Sequence, residues 1–294
     1  MAGVASRERA ATMNALRRRK AGNIVMLSLT YVAAVLATLP LLFILFHLLQ
    51  KGASTLTPDF FTNMPRPVGE AGGGMSNAIV GTLILIAIAG VIGLPVGIGA
   101  GLYLAEKRTG ALAVTVRFLS DVLNGLPSIV LGIFAWEFMV RPFGNFSALA
   151  GGIALGAMMI PLVTRTTEEM IRLVPNSLRE AALALGYPRW RTSLSVILRT
   201  ALPGIVTGAL VAVARIAGET APLLFTAFGN QFWSTALDEP IAALPLQIFA
   251  YAISPYDEWH AQAWAGALVL IVMVLLISLA ARHFTRARFG SATD

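Results

Sequence analysis

Three short stretches hold the residue types that could do chemistry. One is Ala214-Arg215-Ile216-Ala217-Gly218-Glu219-Thr220-Ala221-Pro222, where a base and an acid stand four residues apart in an apolar run. Residues at i and i+4 share a helix face, so Arg215 and Glu219 can pair. An arginine near the middle of a span costs about 2.5–3.5 kcal/mol on insertion scales, and a carboxylate one turn away lowers that cost. The guanidinium is a fixed fork of donors that stays charged, which suits a tetrahedral oxyanion. The spacing leaves two readings open. Arg215 and Glu219 either line a transport pathway, with the acid holding or releasing the base, or form a structural ion pair between helices or subunits. A second stretch, Asn124-Gly125-Leu126-Pro127-Ser128, is a polar break inside an apolar run. Such a break is tolerated only where it meets protein or a water-filled cavity. Asn124 and Ser128 therefore join the pathway candidates. Asp121 could do the same or simply hydrogen-bond between helices.

The third stretch is Ser177-Leu178-Arg179-Glu180-Ala181-Ala182-Leu183-Ala184-Leu185-Gly186. Ser177 and Glu180 stand three apart, the spacing of a capping box. Gly186 falls where a left-handed residue would end the helix, and Pro188 blocks its continuation. Leu178, Ala181, Ala182 and Leu185 share one face at helical spacing. The expected element is a short, capped, amphipathic helix with a small-residue face, shaped to be gripped by another protein.

Several chemistries are excluded. The chain has no cysteine, so thiol catalysis, disulfides and cysteine metal sites are out. None of Lys20, Lys51 and Lys107 sits in a phosphate-binding G-x-x-x-x-G-K-[ST] loop, so the chain does not hydrolyse ATP by that chemistry. His47, His260 and His283 are scattered, and no metal site or catalytic residue is expected.

The elements that must position these stretches are membrane helices. At 294 residues, 56% hydrophobic and 13% charged, the chain has too few polar residues to coat a soluble globule. A basic tail, 1–23, precedes a single transmembrane domain, 24–294. Spans are expected at about 24–49, 77–104, 118–140, 147–163, 201–228 and 262–281, with a polar loop over 165–200. Gly93, Gly97 and Gly101 recur every fourth residue, a surface for close helix approach. Glu137 and Arg141 close the third span as an interfacial pair. Trp233, Trp259 and Trp264 read as interface anchors. Of the 22 Lys and Arg, all but Lys51, Arg66, Arg141 and Arg215 fall in segments on the amino-terminal side of the spans. The positive-inside rule then puts both termini and loop 165–200 in the cytoplasm. That distribution also accounts for the net charge of +7 without nucleic acid.

Glu180, Ala181, Ala182 and Gly186 resemble the EAA loop of ABC-importer permeases. The usual distal Leu-Pro departs from the pattern, because Leu198-Arg199 stands there and Leu202-Pro203 follows four residues later. A more specific likeness lies in the run from Ala214 through Pro222 to Ala227, followed by Asn230-Gln231-Phe232-Trp233. Asn77-Ala78-Ile79-Val80-Gly81-Thr82 and Asn124 to Val130 share it. Together they look like the A-type permease of phosphate-specific ABC importers, over nearly the whole chain. The resemblance implies an all-α integral membrane protein of six transmembrane helices. Its coupling helix would lie between spans four and five, with Ser177, Glu180, Ala181, Ala182, Leu185 and Gly186 at the ATPase. It further implies a homologous second permease, two cytoplasmic ATPase subunits that bind ATP and Mg, and a periplasmic or lipid-anchored phosphate-binding protein. This chain itself would bind no cofactor and sit in the bacterial inner membrane. Sulfate or molybdate permeases are the nearest competitors, and an ion-coupled secondary transporter is a more distant one.

Overall fold

In a computed structural model, the chain is described except for Met1, Ala71, Arg108 and 290–294, and except for the side chains of 2–15, 17, 284 and 286–289. The basic residues Arg7, Arg9, Arg17, Arg286 and Arg288 thus fall outside the described side chains, and Arg108 outside the described residues altogether. The chain divides into two compact units, Met1–Gln50 and Lys51–Asp294.

The first unit is one helix, the bulk of α1 (Ala2–Gly52). An apolar stretch, Arg18–Thr55, runs through α1 into the 3-10 turn Ala53–Thr55 and has 38 residues and a mean hydropathy of 2.5. At 1.5 Å per residue that is about 57 Å, ample for a bilayer core of roughly 30 Å. The hydroxyls of Thr30 and Thr38 donate to the carbonyls of Met26 and Ala34 at 2.9 and 2.7 Å. Both polar groups are therefore satisfied within the helix, as a hydrocarbon setting demands.

In the second unit α2 (Pro58–Thr62) precedes α3 (Ser76–Glu106), α4 (Ala111–Gly125) and α5 (Ser128–Ala135), which runs on into a π-helical turn, Trp136–Val140. Then come α6 (Ala148–Arg172), α7 (Asn176–Ala184), α8 (Arg189–Arg191), a second π-helical segment (Thr192–Ile197) and α9 (Leu198–Ala217). The short α10 (Ala221–Thr226) and α11 (Leu244–Ala252) lead to α12 (Asp257–Phe289). Among the described residues five helices are long and apolar enough to cross a bilayer. The pair α4 and α5, bent by 106°, supplies a sixth if it counts as one span.

The central element is α6. Within its apolar window 67% is buried in the chain, against 28% for α3. It packs along α3 through glycines. A Cβ on Gly93 would lie 3.0 Å from the Met159 Cβ, one on Gly97 2.7 Å from the Val163 Cβ, and one on Gly101 2.5 Å from the Thr167 Cβ. The four-residue glycine spacing is thus a seam on which two backbones close. Gly97→Val overpacks that seam by about 1–3 kcal/mol. It should lower the melting temperature in detergent, whereas Gly99→Ala, with nothing within 4 Å of its Cβ, should not.

Several helix bounds depart from the sequence expectation; α12, for one, runs Asp257–Phe289 rather than 262–281. The fourth helix does not stop at Val163 but continues to Arg172, inside the stretch 165–200 expected as loop. Its charged residues pair along the helix, Arg165 with Glu169 at 3.2 Å and Glu168 with Arg172 at 2.5 Å, so polarity ends the apolar run without ending the helix. The helix over the third expected span begins at Ala111, not Phe118. The expected run 201–228 is broken: α9 ends at Ala217 and α10 starts at Ala221.

The segment after α10 is folded back onto the starts of α3 and α6. Asn77 Nδ2 donates to the carbonyls of Asn230 and Gln231 at 3.0 and 3.3 Å. Thr82 Oγ1 accepts from the Leu244 amide at 2.8 Å. Gly81 lets the Ala242 carbonyl approach so closely that a Cβ would stand 2.0 Å from its oxygen. Ser147 caps α6 by accepting from the Ala150 amide at 3.1 Å. The next two amides, Ala148 and Leu149, donate to Glu239 and Leu237, each at 2.9 Å. The motifs around Asn77 and Asn230, remote in sequence, are two halves of one junction.

Candidate coupling helix and translocation site

The helix α7 begins at Asn176 with Pro175 as its N-cap and no side-chain cap bond. The capping box expected of Ser177 and Glu180 is therefore not formed. Pro175, with φ −58°, takes the N-cap position two residues early, and Ser177 becomes an interior residue of the first turn. Leu178 donates instead to the Pro175 carbonyl at 3.2 Å. The other end follows the sequence. Gly186 has φ +83°, the Gly186 amide donates to Leu183 O at 3.0 Å, and the Tyr187 amide donates to Ala182 O at 3.1 Å. These two bonds are the Schellman closure of a helix C-terminus, which the left-handed glycine makes possible. Of the face Leu178, Ala181, Ala182 and Leu185, only Ala182 is buried. Leu185 is 79% exposed, and Ser177, Glu180 and Ala181 are exposed too. A helix with its ends fixed and its leucines open has apolar surface left for a partner.

Arg215 lies in the last turn of α9 rather than in mid-helix, because Gly218 ends that helix with φ −97° and ψ 0°. Its cation therefore stands where the helix dipole is negative. The Glu219 amide still donates to Ile216 O at 3.2 Å, so the chain tightens before it breaks. Arg215 Nε is 3.9 Å from Glu219 Oε1, and the side chains are 46% and 20% exposed. This is a long, loose pair that leaves the guanidinium's outer donors open. The break after it lies in an apolar run, a place where irregular backbone must meet protein or water.

Asn124 and Ser128 sit on either side of the sharp bend between α4 and α5. Both are half-buried, and among the described residues no hydrogen bond joins them to Arg215 or Glu219. The two breaks are nonetheless related. Each is followed at once by a short helix, α5 or α10, and these two pack together where a Cβ on Gly132 would lie 2.7 Å from the Pro222 Cα.

Asp121 takes the helix-linking role. It accepts from Arg165 Nη1 at 2.8 Å, and beside it Arg117 Nε donates to Glu168 at 2.9 Å. With Glu169 and Arg172 these residues line a cavity of about 140 Å³ between α4 and α6. Apart from Asp121, this cluster was not anticipated. Its signal is the i, i+4 charge spacing after Val163. Glu137 and Arg141 do pair, on an exposed π-helical turn. Trp259 stacks on Tyr251 at 4.6 Å within a cluster that includes Phe60 and Leu244, whereas Trp233 is 53% exposed.

Residues 97–289 match the family model described as "Binding-protein-dependent transport system inner membrane component". The chain is 49% identical over 269 residues to the phosphate transport system permease protein PstA of Yersinia pestis, covering 91% of this chain and 90% of that one. It is 36% identical to PstA 1 of Mycobacterium tuberculosis (strain CDC 1551 / Oshkosh), with 90% and 88% covered. Among solved structures, a chain of a bacterial alginate ABC transporter superposes with TM-score 0.64 at 15% identity, over 90% of this chain and 95% of that one. A chain of the MetNI methionine ABC transporter gives 0.60 at 22% identity, over 72% and 96%. The last two share the fold. Taken with the sequence match along both breaks and α7, the chain belongs to the family of binding-protein-dependent transport system inner membrane components, alongside the phosphate transport system permease proteins.

Proposed function

We propose that this chain is the transmembrane permease subunit of an ATP-driven inorganic phosphate importer, lining half of the pathway and taking its drive through α7. The observation that carries this reading is the 49% identity to a phosphate permease over 91% of the chain, which includes both breaks and α7. A homologous second permease completes the pathway, two cytoplasmic ATPase subunits hold the ATP and Mg, and a binding protein delivers phosphate from outside. Both termini lie in the cytoplasm of the inner membrane, on the side where the basic residues gather.

In the cycle, closure of the ATPases displaces α7, and the cavity opens outward to receive phosphate. Return to the inward state releases the anion past Arg215. The exposed edge of Leu178, Ala181 and Leu185 is the surface the ATPase grips. The fixed end at Gly186 keeps the displacement from being lost in local bending. Arg215, with Asn124 and Ser128, supplies the pathway's polar groups, and Glu219 holds the guanidinium loosely enough to let it turn to the substrate. Reconstitution with the partner permease, the ATPase and the binding protein tests the assignment. Labelled phosphate should enter proteoliposomes only with ATP, and sulfate or molybdate should not compete. Uptake of sulfate in preference to phosphate, or uptake driven by an ion gradient without ATP, would contradict it.

A further inference from the structure

We propose that Glu106, the last residue of α3, is a positioning residue that ties the coupling helix to the α3–α6 seam and carries its displacement there. The proposal rests on the coupling role of α7 given above. Arg179, in the middle of α7, donates through Nη1 to Glu106 Oε1 at 2.7 Å and Oε2 at 2.8 Å. Ser193, buried in the π-helical segment after α8, donates to the same Oε1 at 2.8 Å. One carboxylate thus holds three elements.

Three features make this more than a surface ion pair. An acid at a helix C-terminus faces the negative end of the dipole, so Glu106 stands at an unfavourable place that its partners must offset. Both side chains are only 30% exposed, and the pair rims a cavity of about 240 Å³ with Leu183, Arg189 and Thr192. Finally, α7 packs on the π-helical segment Thr192–Ile197, the same segment whose Ser193 shares the Glu106 carboxylate. Ala182 is its one buried residue, and among the described residues the Glu106 pair is the one salt bridge from α7 to any other element.

The route onward is continuous. Two residues before Glu106, the Leu104 carbonyl accepts from Arg117 Nη2 at 3.0 Å, and Arg117 Nε donates to Glu168 of α6 at 2.9 Å. Ala105 packs in a cluster with Ile171, Ile197, Ala201 and Ile205, which joins α3, α6 and α9. A push on α7 therefore reaches the end of α3 through a charged clamp and passes into the packed seam at Gly101 and Thr167. Nothing in α7's own sequence announces this partner, since Glu106 and Arg179 are 73 residues apart.

The test is the phosphate transported per ATP hydrolysed by the reconstituted importer, with assembly followed by co-purification of the ATPase. Glu106→Gln and Arg179→Gln should each lower that ratio by about fivefold or more, the lower end of ordinary coupling energies. The exchange Glu106→Arg with Arg179→Glu should recover it to within about twofold. Should a single variant fail to assemble, the exchange should restore assembly as well as the ratio. An unchanged ratio in Glu106→Gln, or an exchange that restores neither, overturns the clamp. If the unaltered importer moves no phosphate with ATP, the functional assignment fails instead.

Discussion

Arg215→Gln should cut ATP-dependent phosphate uptake by about 10- to 100-fold, taking about 1.5–3 kcal/mol for charged hydrogen bonds lost at the substrate and 1.4 kcal/mol per decade. The chain should still insert and assemble. That second half follows from the geometry. An ion pair 3.9 Å apart, with its arginine 46% exposed, contributes about 0–1 kcal/mol, too little to unfold the protein on its loss. The removal of a cation from a span also relieves an insertion cost. Arg215→Lys keeps the charge but not the two-pronged donor, and should recover uptake only in part. Glu219→Gln, which loosens the guanidinium without removing it, should fall between Arg215→Gln and the unaltered chain. If Arg215 were only a staple, Arg215→Gln and Glu219→Gln would give equal losses of melting temperature and unaltered uptake. Uptake rates and detergent melting curves on the same preparations separate the two.

Gly186→Val should uncouple ATP hydrolysis from uptake. With φ at +83°, a β-branched residue at this position costs about 1–2 kcal/mol or more in backbone strain. No heavy atom lies within 4 Å of where its Cβ would stand, so the loss is conformational and not a clash. The strain is relieved by unwinding the closure at Leu183 and Ala182, which frees the end of α7. Phosphate per ATP should fall several-fold while the spans insert as before. Gly186→Asn is the matching control, since asparagine tolerates the left-handed region and should retain most of the coupling. A full ratio in Gly186→Val would mean that the rigidity of α7 is not needed.

What the sequence made legible was whatever rests on local rules. The left-handed stop at Gly186, the seam of Gly93, Gly97 and Gly101, the Glu137–Arg141 pair and the break at Asn124–Ser128 all follow from residue type and spacing. The misplacements have physical causes. Ser177 and Glu180 have capping-box spacing, yet the helix starts two residues earlier, with Pro175 in the N-cap position and no side-chain cap bond, which leaves Ser177 inside the first turn. The apolar run was a poor guide to the length of α6, because intrahelical ion pairs extend a helix beyond the hydrocarbon. In the run 201–228 continuous hydropathy hid the break at Gly218, which apolar neighbours conceal as easily as they would conceal a kink. The Glu106–Arg179 pair and the junction of Asn77 with Asn230 depend on tertiary packing alone. No pattern within either segment points to the other.

The side of the membrane on which α7 lies, and what covers it, is the point on which the account turns. Because the chain has no cysteine, Leu185→Cys places a single thiol on the most exposed leucine of this helix. In sealed vesicles a membrane-impermeant maleimide should label it only when the cytoplasmic face is outward, and the assembled ATPase should protect it. Labelling from the opposite face, or equal labelling with and without the ATPase, would contradict the account.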